Sequence, residues 1–413
     1  MSPYGKGEEN KINMKQIIFL FILTLPFGGS GLAFSQEVQQ TFYDKEKKIK
    51  KEIFHTKSIS GKTVKEGLYQ IFYKNGRMWQ EGNCKKDKLE GIWKTYYDNG
   101  NIKQLLTFQN GLRQGDSKIY YEDGLLYQEL FYKNDFLEGK IKMYHPSSEQ
   151  RLMEVSEYKN DTLQGESISF SENGNILSKK IYVNGQLNGA SESFYESGII
   201  KEKAFYKNGI QEGEFISYCK DSLNNPQKKC TYRNGKLQGS FTGYYPNGSV
   251  MIKGTYFNDS LQGEYLFFYP SKEKNIAQGA ILEKGNYLDN KRTGSWISYY
   301  LDGTIYTTGN FKQGEFDGAW KIYFKNGKLK QTGVYASGLE EGDWKYYHDN
   351  GNTYMEGNYQ EGKQEDKWKV YDEDGKLLSE YNWHNGKLHG KQTAYNKDGK
   401  VVEEKVYENG VLK

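Results

Sequence analysis

Short runs of alternating apolar and polar residues, each closed by a glycine-containing turn, recur along this chain. The segment Gly318–Gly342, GAWKIYFKNGKLKQTGVYASGLEEG, contains two such runs separated by one turn and followed by another. Alternation with a period of two places successive side chains on opposite faces, which is typical of half-buried β-strands. The segment is therefore predicted to form a β-hairpin.

The same pattern is repeated from residue 67 to the C-terminus in fourteen units, most of them 24 residues long. A glycine begins every unit except one, which begins with Asp366. The boundary glycines are Gly67, Gly91, Gly115, Gly139, Gly165, Gly189, Gly213, Gly239, Gly263, Gly294, Gly318, Gly342 and Gly390. A fixed period of this length indicates stacked structural repeats. The predicted fold class is all-β: an elongated, twisted, single-layer antiparallel β-meander of about fourteen hairpin repeats.

Positions within a unit are counted here from the boundary residue as position zero. Position nine is Gly in eleven units, usually after Asn, Asp or Ser, as in Asn75–Gly76 and Asn326–Gly327. Asn-Gly suits a type I′ turn, in which both central residues have positive φ, so we predict that turn type here. A second turn, such as Asn385–Gly386, returns the chain antiparallel for the next hairpin.

Aromatic residues occupy two kinds of position in each unit. Position five is aromatic in all fourteen units and stands on a face that is otherwise rich in Lys and Glu. Position two lies on the other, more apolar face. In six units the residue predicted to pair with position two is Gly, and position two is then always a large ring, as in Trp320 with Gly333 and Tyr69 with Gly82. We expect each ring to cover its glycine partner, which would restore the packing that glycine lacks.

The N-terminus carries the features of a secretory signal peptide. Lys11 and Lys15 precede a short apolar run, Ile17–Leu25, and Ala33-Phe34-Ser35 forms a small-x-small cleavage site. The run is too short for a stable membrane span. The expected organisation is a signal peptide over residues 1–35, a leader with a cap strand over 36–66, and the repeat array over 67–413. The expected location is periplasmic, cell-surface or secreted.

Export would permit disulfide bonds. A two-residue turn at Asn224-Asn225 would place Cys219 directly opposite Cys230, so these two residues are a candidate disulfide.

The composition gives little support for catalysis or for nucleic-acid binding. The formal charge is +4, with 57 basic and 53 acidic residues interspersed, so no strong field favours nucleic acid. The densest basic run, Lys45–Lys51, is interpreted as a solvated leader before the first strand, with a contact to a membrane surface or a polyanion as the alternative. His384 and His389 flank one turn without further residues at metal-ligand spacing. No nucleophile elbow or phosphate loop is found, so we expect no cofactor, no metal and no enzymatic activity.

The repeat resembles the MORN-repeat-variant family, which includes the YwqK-type antitoxin component of bacterial toxin–antitoxin modules. The resemblance depends on G-x-W-x-x-Y-Y-x-N-G followed by Y-x-N-G-x-x-x-G, as at Gly91-Ile92-Trp93 and at Gly294-Ser295-Trp296, and it covers residues 67–413. It implies a scaffold that binds partner proteins, with lipid contact proposed for some members. It supplies no catalytic residues.

The position-five aromatics are the candidate binding residues, in particular Tyr96, Tyr120, Tyr299, Tyr323, Tyr347 and Tyr371. One interpretation is structural, with rings stacking from strand to strand. The other is a linear track that contacts a partner protein, a glycan or lipid headgroups. The insertion over residues 271–286 is a second candidate site or a tolerated surface loop.

Three functional hypotheses follow. The first is an exported, non-enzymatic repeat scaffold that binds a partner protein through an extended sheet surface. The second is an antitoxin or immunity component of a toxin–antitoxin module. The third is a module that binds a glycan or a membrane surface.

Overall fold

The computed structural model describes residues 36–221, 225–271 and 279–413. In these ranges the chain forms 36 β-strands of one antiparallel sheet and no helix. The predicted all-β antiparallel meander of hairpin repeats is therefore confirmed. The predicted signal peptide, residues 1–35, lies outside the described residues.

Contacts divide the chain into two compact units. The first comprises the described residues up to Gly165 together with 172–174, and the second comprises 166–171 and the described residues from Asn175 to Lys413. The strands of the first unit are β1 (Glu37–Phe42), β2 (Lys50–Ile59), β3 (Lys62–Phe72), β4 (Met78–Lys85), β5 (Lys88–Tyr96), β6 (Ile102–Gln109), β7 (Leu112–Arg113), β8 (Gly115–Tyr120), β9 (Leu126–Lys133), β10 (Phe136–Leu137), β11 (Gly139–Tyr144) and β12 (Leu152–Lys159). Strand β13 (Thr162–Phe170) has residues in both units.

The strands that lie wholly in the second unit follow the same hairpin pattern. They are β14 (Ile176–Val183), β15 (Gln186–Phe194), β16 (Ile200–Lys207), β17 (Ile210–Gln211), β18 (Gly213–Tyr218), β19 (Pro226–Arg233), β20 (Lys236–Tyr244), β21 (Val250–Phe257), β22 (Ser260–Phe268), β23 (Ile281–Leu288), β24 (Lys291–Tyr299), β25 (Ile305–Lys312), β26 (Glu315–Phe316), β27 (Gly318–Tyr323), β28 (Leu329–Ala336), β29 (Leu339–Tyr347), β30 (Thr353–Gln360), β31 (Lys363–Tyr371), β32 (Leu377–His384), β33 (Lys387–Leu388), β34 (Gly390–Tyr395), β35 (Val401–Glu408) and β36 (Val411–Leu412). The leader contributes β1 and β2, and β2 pairs with β3.

In the units that have glycine at position nine, the two turns differ in type, and the prediction for the first turn is wrong. In the first turn the N–H of Gly76 donates to the carbonyl of Tyr73 at 3.0 Å, and Gly76 has a φ of 85° whereas Asn75 has no positive φ. The first turn thus ends in one left-handed glycine, Gly76, and its loop is one residue longer than a type I′ loop. Both central residues have positive φ in the second turn, as in Asn385 (51°) and Gly386 (75°). The type I′ pattern therefore belongs to the second turn.

The predicted strand register is confirmed, but the ring that covers each glycine is a different one. Trp320 pairs with Gly333 across β27 and β28, as expected. The ring in the space above Gly333, however, belongs to Trp344 of the following strand, and Trp320 covers Gly309 of the preceding strand. The expectation that Trp320 covers Gly333 is therefore wrong.

A bulge at the unit boundary explains this exchange of partners. Between β28 and β29, Thr332 pairs with Lys345 and Val334 pairs with Glu341, so the three residues Gly342–Trp344 face the single residue Gly333. Gly342 has a φ of 67°, which suits a glycine in a bulge. The bulge directs the indole of Trp344 backwards over Gly333. Gly342 is the boundary glycine of its repeat, so the boundary glycine occupies the bulge.

A continuous chain of ring contacts forms the core of the second unit. Each successive pair has centroids 5.0 to 6.1 Å apart, with ring planes inclined at 67° or more. The nine rings are Tyr265, Tyr287, Trp296, Phe311, Trp320, Tyr335, Trp344, Tyr359 and Trp368. Trp344 and Trp368 are each only 1% exposed. Edge-to-face packing of this kind stabilises the face that carries position two.

Hydrogen bonds between consecutive hairpins also join the turns. At the second turn, the N–H of Gly386 donates to the carbonyl of Gln364 at 3.0 Å. Beside the first turn, the hydroxyl of Tyr97 donates to the carbonyl of Tyr120 at 2.8 Å, and Tyr300 donates to Tyr323 in the same way at 2.9 Å. Both ends of a hairpin are therefore fixed to its neighbour.

Candidate binding face

The position-five tyrosines lie on one face of the sheet together with lysine and glutamate side chains. All six predicted binding tyrosines are half-buried. The hydroxyl of Tyr96 donates to Glu81 at 2.7 Å, and Tyr371 donates to Glu356 at 2.9 Å. The ring of Tyr299 instead lies 5.6 Å from the ammonium nitrogen of Lys284. In each case the partner is the residue fifteen positions earlier, on the preceding hairpin.

The other three predicted tyrosines have no carboxylate at that place. The residue fifteen positions before Tyr120 is Leu105, and the corresponding residues for Tyr323 and Tyr347 are Thr308 and Thr332. The predicted ladder is therefore chemically uneven, and a carboxylate already engages some of its hydroxyls.

These contacts change the acidity of the groups involved. Burial, together with the hydrogen bond to Glu81, raises the pKa of Tyr96 to about 12. Burial and Glu356 raise the pKa of Tyr371 to about 12 in the same way. The hydrogen bond from Tyr96 holds the pKa of Glu81 below its usual value. Each pair is thus a neutral phenol and a carboxylate at neutral pH.

The six tyrosines do not stack on one another. Successive position-five residues are two strands apart, about 9.6 Å, which is too far for direct ring contact. None of the six has a ring partner among the described residues. The expectation of strand-to-strand ring stacking on this face is wrong, and the stacked rings are those on the opposite face. The signal that identifies that opposite core is the eleven-residue spacing between each position-two ring and the glycine it covers.

Exposed aliphatic and aromatic side chains flank the tyrosines on the same face. They occupy position one or the residue paired with it: Ile92 is 58% exposed, Phe205 is 46% exposed and Val334 is 43% exposed. Strand alternation places these residues on the side of positions three and five. This face therefore combines half-buried rings, charged side chains and exposed apolar groups.

The opposite face carries a groove in the first unit. Its volume is about 200 Å³ and its walls include Leu130, Tyr132, Ile141, Met143 and Tyr158. It lies where position two is Ile141 rather than tryptophan. The smaller side chain leaves space that an indole fills in other hairpins.

The predicted disulfide is contradicted by the register of β18 and β19. Cys230 lies opposite Phe215, while the N–H of Cys219 donates to the carbonyl of Asn225 at 3.0 Å. Both thiols are free, as is that of Cys84. The predicted turn includes Asn224, which lies outside the described residues.

Other predicted positions carry no assembled site. Of the insertion 271–286, residues 272–278 lie outside the described residues, and Ile281–Asn286 belong to β23. His384 Nδ1 lies 2.6 Å from Glu365 Oε1, and its ring centroid is 5.8 Å from that of His389. Within the described ranges, no three His, Cys, Asp or Glu residues are grouped so as to hold a metal ion. That part of the chain also has no helix that is long and apolar enough to cross a membrane.

The repeat pattern matches a known family in ten segments that together span more than half of the chain. The family is described as MORN repeat variant, and the matched segments are residues 89–110, 113–134, 163–184, 187–208, 237–258, 292–313, 316–336, 340–361, 367–385 and 388–413. The chain belongs to the MORN repeat variant family. Each matched segment contains a strand, the first turn and the next strand, so each match covers one hairpin of the sheet.

Further comparisons add little about this MORN repeat variant protein. No curated protein matches the chain. Among solved structures, it is similar at 9% identity to the TcdB2–TccC3–Cdc42 complex, covering 90% of this chain and 28% of that one, with a TM-score of 0.14. A Tc holotoxin pore of Photorhabdus luminescens matches at 10% identity, covering 91% and 23%, with a TM-score of 0.15. The chain thus spans about a quarter of the length of these structures.

Proposed function

We propose that this protein is a non-enzymatic scaffold that binds a partner protein through the face carrying the position-five tyrosines. The observation that supports the proposal is the presence of exposed apolar residues beside those tyrosines in each compact unit, including Ile92 in the first and Phe205 and Val334 in the second. Aromatic and apolar groups of this kind are enriched at the centres of protein interfaces. Hairpins fixed to each other by hydrogen bonds present such a surface with little ordering cost on binding.

Site-specific photocrosslinking tests this proposal. A photoreactive phenylalanine analogue is placed at Phe205 or at Val334 in the protein produced in its native cells. We expect both positions to capture the same partner. As a control, the analogue is placed at Lys325, whose side chain is 74% exposed beside a first turn. Absence of a common adduct at the two face positions, or equal capture at Lys325, would contradict the proposed face.

We also propose that the protein is exported, on the basis of the signal-peptide pattern of residues 1–35. The experiment is to isolate the protein from cell fractions and to sequence its N-terminus. A mature chain beginning at or near Gln36 in the periplasm or the medium is expected. A full-length chain confined to the cytoplasm would remove this proposal.

A role as the antitoxin of a toxin–antitoxin module is the second proposal, and it is supported by membership of the MORN repeat variant family. It requires a toxin encoded beside this protein. Expression of that neighbouring gene alone should arrest growth, and co-expression of this protein should restore it. Growth arrest that persists on co-expression would exclude the antitoxin role.

A further inference from the structure

Five lysines form a row across consecutive hairpins of the second unit, on the face that carries the position-five rings. Each lysine lies ten residues before the next unit boundary, in five consecutive hairpins. These residues are Lys179, Lys203, Lys229, Lys253 and Lys284, on β14, β16, β19, β21 and β23. We call them the lysine row. Because consecutive members are two strands apart, their spacing is about 9.6 Å.

Two of the four side chains between successive lysines are aliphatic, and the other two are Glu192, between Lys179 and Lys203, and Thr242, between Lys229 and Lys253. Ile216 pairs with Lys203 on one side and with Lys229 on the other, and Leu266 pairs with Lys253 and Lys284 in the same way. These two aliphatic residues are half-buried. The surface between successive lysines is therefore apolar in two intervals, from Lys203 to Lys229 and from Lys253 to Lys284.

The row is specific to this part of the chain. Further along, the equivalent residues are Glu356 and Glu380, and each carboxylate there has a lysine partner: Lys345 at 3.0 Å and Lys367 at 3.4 Å. Two lysines of the row also have carboxylate partners. Glu192 lies 3.6 Å from Lys203, and Glu214 lies 2.6 Å from Lys229.

Those two ion pairs leave the lysines accessible. The side chains of Lys203 and Lys229 are each 49% exposed. Ion pairs at this degree of exposure contribute little to stability, so an incoming carboxylate can replace or share them. Glu214 and Glu264 lie at position one, on the second-turn side of the row. The positive charge thus follows a narrow line that contains one carboxylate, Glu192, and has further carboxylates along one border.

We propose that the lysine row binds an extended acidic segment of a partner protein, with a carboxylate at every third residue. A chain in the polyproline II conformation advances about 3.1 Å per residue, so residues three apart are separated by about 9.3 Å. This spacing matches that of the row. Proline or other apolar residues between the carboxylates would then contact Ile216 and Leu266. The inference rests on the proposed function, because it assumes a protein partner.

Other anionic ligands fit the row less well. Duplex nucleic acid carries a phosphate about every 3.4 Å along each strand, much denser than the lysines. A membrane presents a broad negative surface, which Glu214 and Glu264 would repel. The hydroxyl groups of an acidic polysaccharide would lose hydrogen bonds to water against Ile216 and Leu266. A narrow chain that alternates acidic and apolar groups avoids these costs.

The test uses a fluorescent peptide of six Glu-Pro-Pro repeats and the full purified protein, with binding followed by fluorescence anisotropy. The comparison peptide has the same composition, with its six glutamates contiguous. We expect the spaced peptide to bind about tenfold more tightly than the contiguous one, and its binding to weaken as salt is added. Equal binding of the two peptides would overturn the proposed spacing.

Two matched variants locate the binding site. Lys229→Gln combined with Lys253→Gln should weaken binding of the spaced peptide about tenfold, since two charge contacts are removed. Lys207→Gln combined with Lys236→Gln removes the same charge beside the second turns and should leave binding within about twofold. Circular dichroism and urea midpoints verify that both variants remain folded. Loss of binding in the control variant equal to that in the row variant would refute the site.

Competition and crosslinking separate this inference from the proposed function. Polygalacturonate or anionic lipid vesicles that bind the row more tightly than the spaced peptide would overturn the peptide assignment. If Phe205 crosslinks a partner whose capture is unchanged by the row variant, the scaffold function stands and this inference fails. If the row variant abolishes that capture, both are supported.

Discussion

The indole of Trp344 occupies the space that a side chain at Gly333 would need. A Cβ added at Gly333 would lie 2.1 Å from the Trp344 ring. The same contact joins four further pairs, each eleven residues apart: Trp93 with Gly82, Trp296 with Gly285, Trp320 with Gly309, and Trp368 with Gly357. Glycine and tryptophan therefore form one structural element that links consecutive hairpins.

Replacement of Gly333 by alanine should destabilise the protein. The new methyl group would force the buried Trp344 ring to move, and overpacking of this kind costs about 1–3 kcal/mol. The measurement is the free energy of unfolding in urea, followed by tryptophan fluorescence. Gly243→Ala is the matched control, because a Cβ there would meet its neighbours at 3.6 Å or more, in ordinary contact. A Gly333→Ala variant as stable as Gly243→Ala would contradict the contact.

A tyrosine at position 324 should stabilise the array. Tyr300 donates its hydroxyl to the carbonyl of Tyr323, and Phe324 occupies the equivalent position in the next hairpin without a hydroxyl. Phe324→Tyr should add a hydrogen bond to the carbonyl of Tyr347 and about 1 kcal/mol of stability. Tyr300→Phe should lose a similar amount. Urea denaturation measures both, and a change of the same sign in the two variants would refute the proposed bond.

Asp366→Gly should also increase stability. Asp366 is the one boundary residue that is not glycine, and it has a φ of 56°. A left-handed conformation costs a non-glycine residue about 1–2 kcal/mol, and less for aspartate. Part of the gain is offset because glycine loses more backbone entropy on folding. We expect a higher urea midpoint for Asp366→Gly and a lower one for Gly342→Ala, whose native φ is 67°.

Alkaline pH should destabilise the face with the position-five tyrosines. The pKa values of Tyr96, Tyr144 and Tyr371 are raised to about 12, chiefly by burial and next by a hydrogen bond to a glutamate. An unfolded tyrosine ionises near 10, so this contribution to stability is complete below about pH 10 and is lost as the pH rises to about 12. Urea midpoints at pH 9 and pH 11 test the effect. The triple Tyr→Phe variant should show a smaller decrease, and an unchanged decrease would exclude these groups.

Thiol reactivity should distinguish Cys219 from the other two cysteines. Burial raises the pKa of the Cys84 and Cys230 thiols, and both side chains are buried, whereas Cys219 is partly exposed. Alkylation of the native protein followed by peptide mass spectrometry should find Cys219 modified first. All three cysteines should react after unfolding without reductant. A mass gain of two hydrogens on reduction would instead indicate a bond between two of them.

The sequence predicted the hairpins and their register because the necessary information is local. The pairing of Trp320 with Gly333 follows from turn spacing and strand alternation alone. The covering ring could not be assigned in the same way. Trp320 has a glycine on each neighbouring strand, Gly309 and Gly333, and the boundary bulge decides between them. Asn-Gly likewise fits both turn types, and the additional loop residue at the first turn decides the outcome.

The candidate site was harder to predict than the fold. The Cys219–Cys230 disulfide assumed a two-residue turn, whereas the observed register places Phe215 opposite Cys230. The lysine row is hidden in the overall charge of +4, because acidic residues elsewhere balance it. It emerges only when residues ten positions before each boundary are compared. The kind of partner that can bind depends on which side chains lie side by side on neighbouring strands, and the overall composition does not contain that information.

The backward reach of each tryptophan gives the array a direction of assembly. Trp344 covers Gly333 in the hairpin before its own. Gly333 therefore stays uncovered until the hairpin that carries Trp344 has been synthesised. During synthesis from the N-terminus, each of these five tryptophans would therefore cover a glycine of the hairpin made just before its own. A chain ending before Asp366 would leave Gly357 uncovered, while a chain beginning at Gly91 would leave the Trp93 indole without Gly82 beneath it.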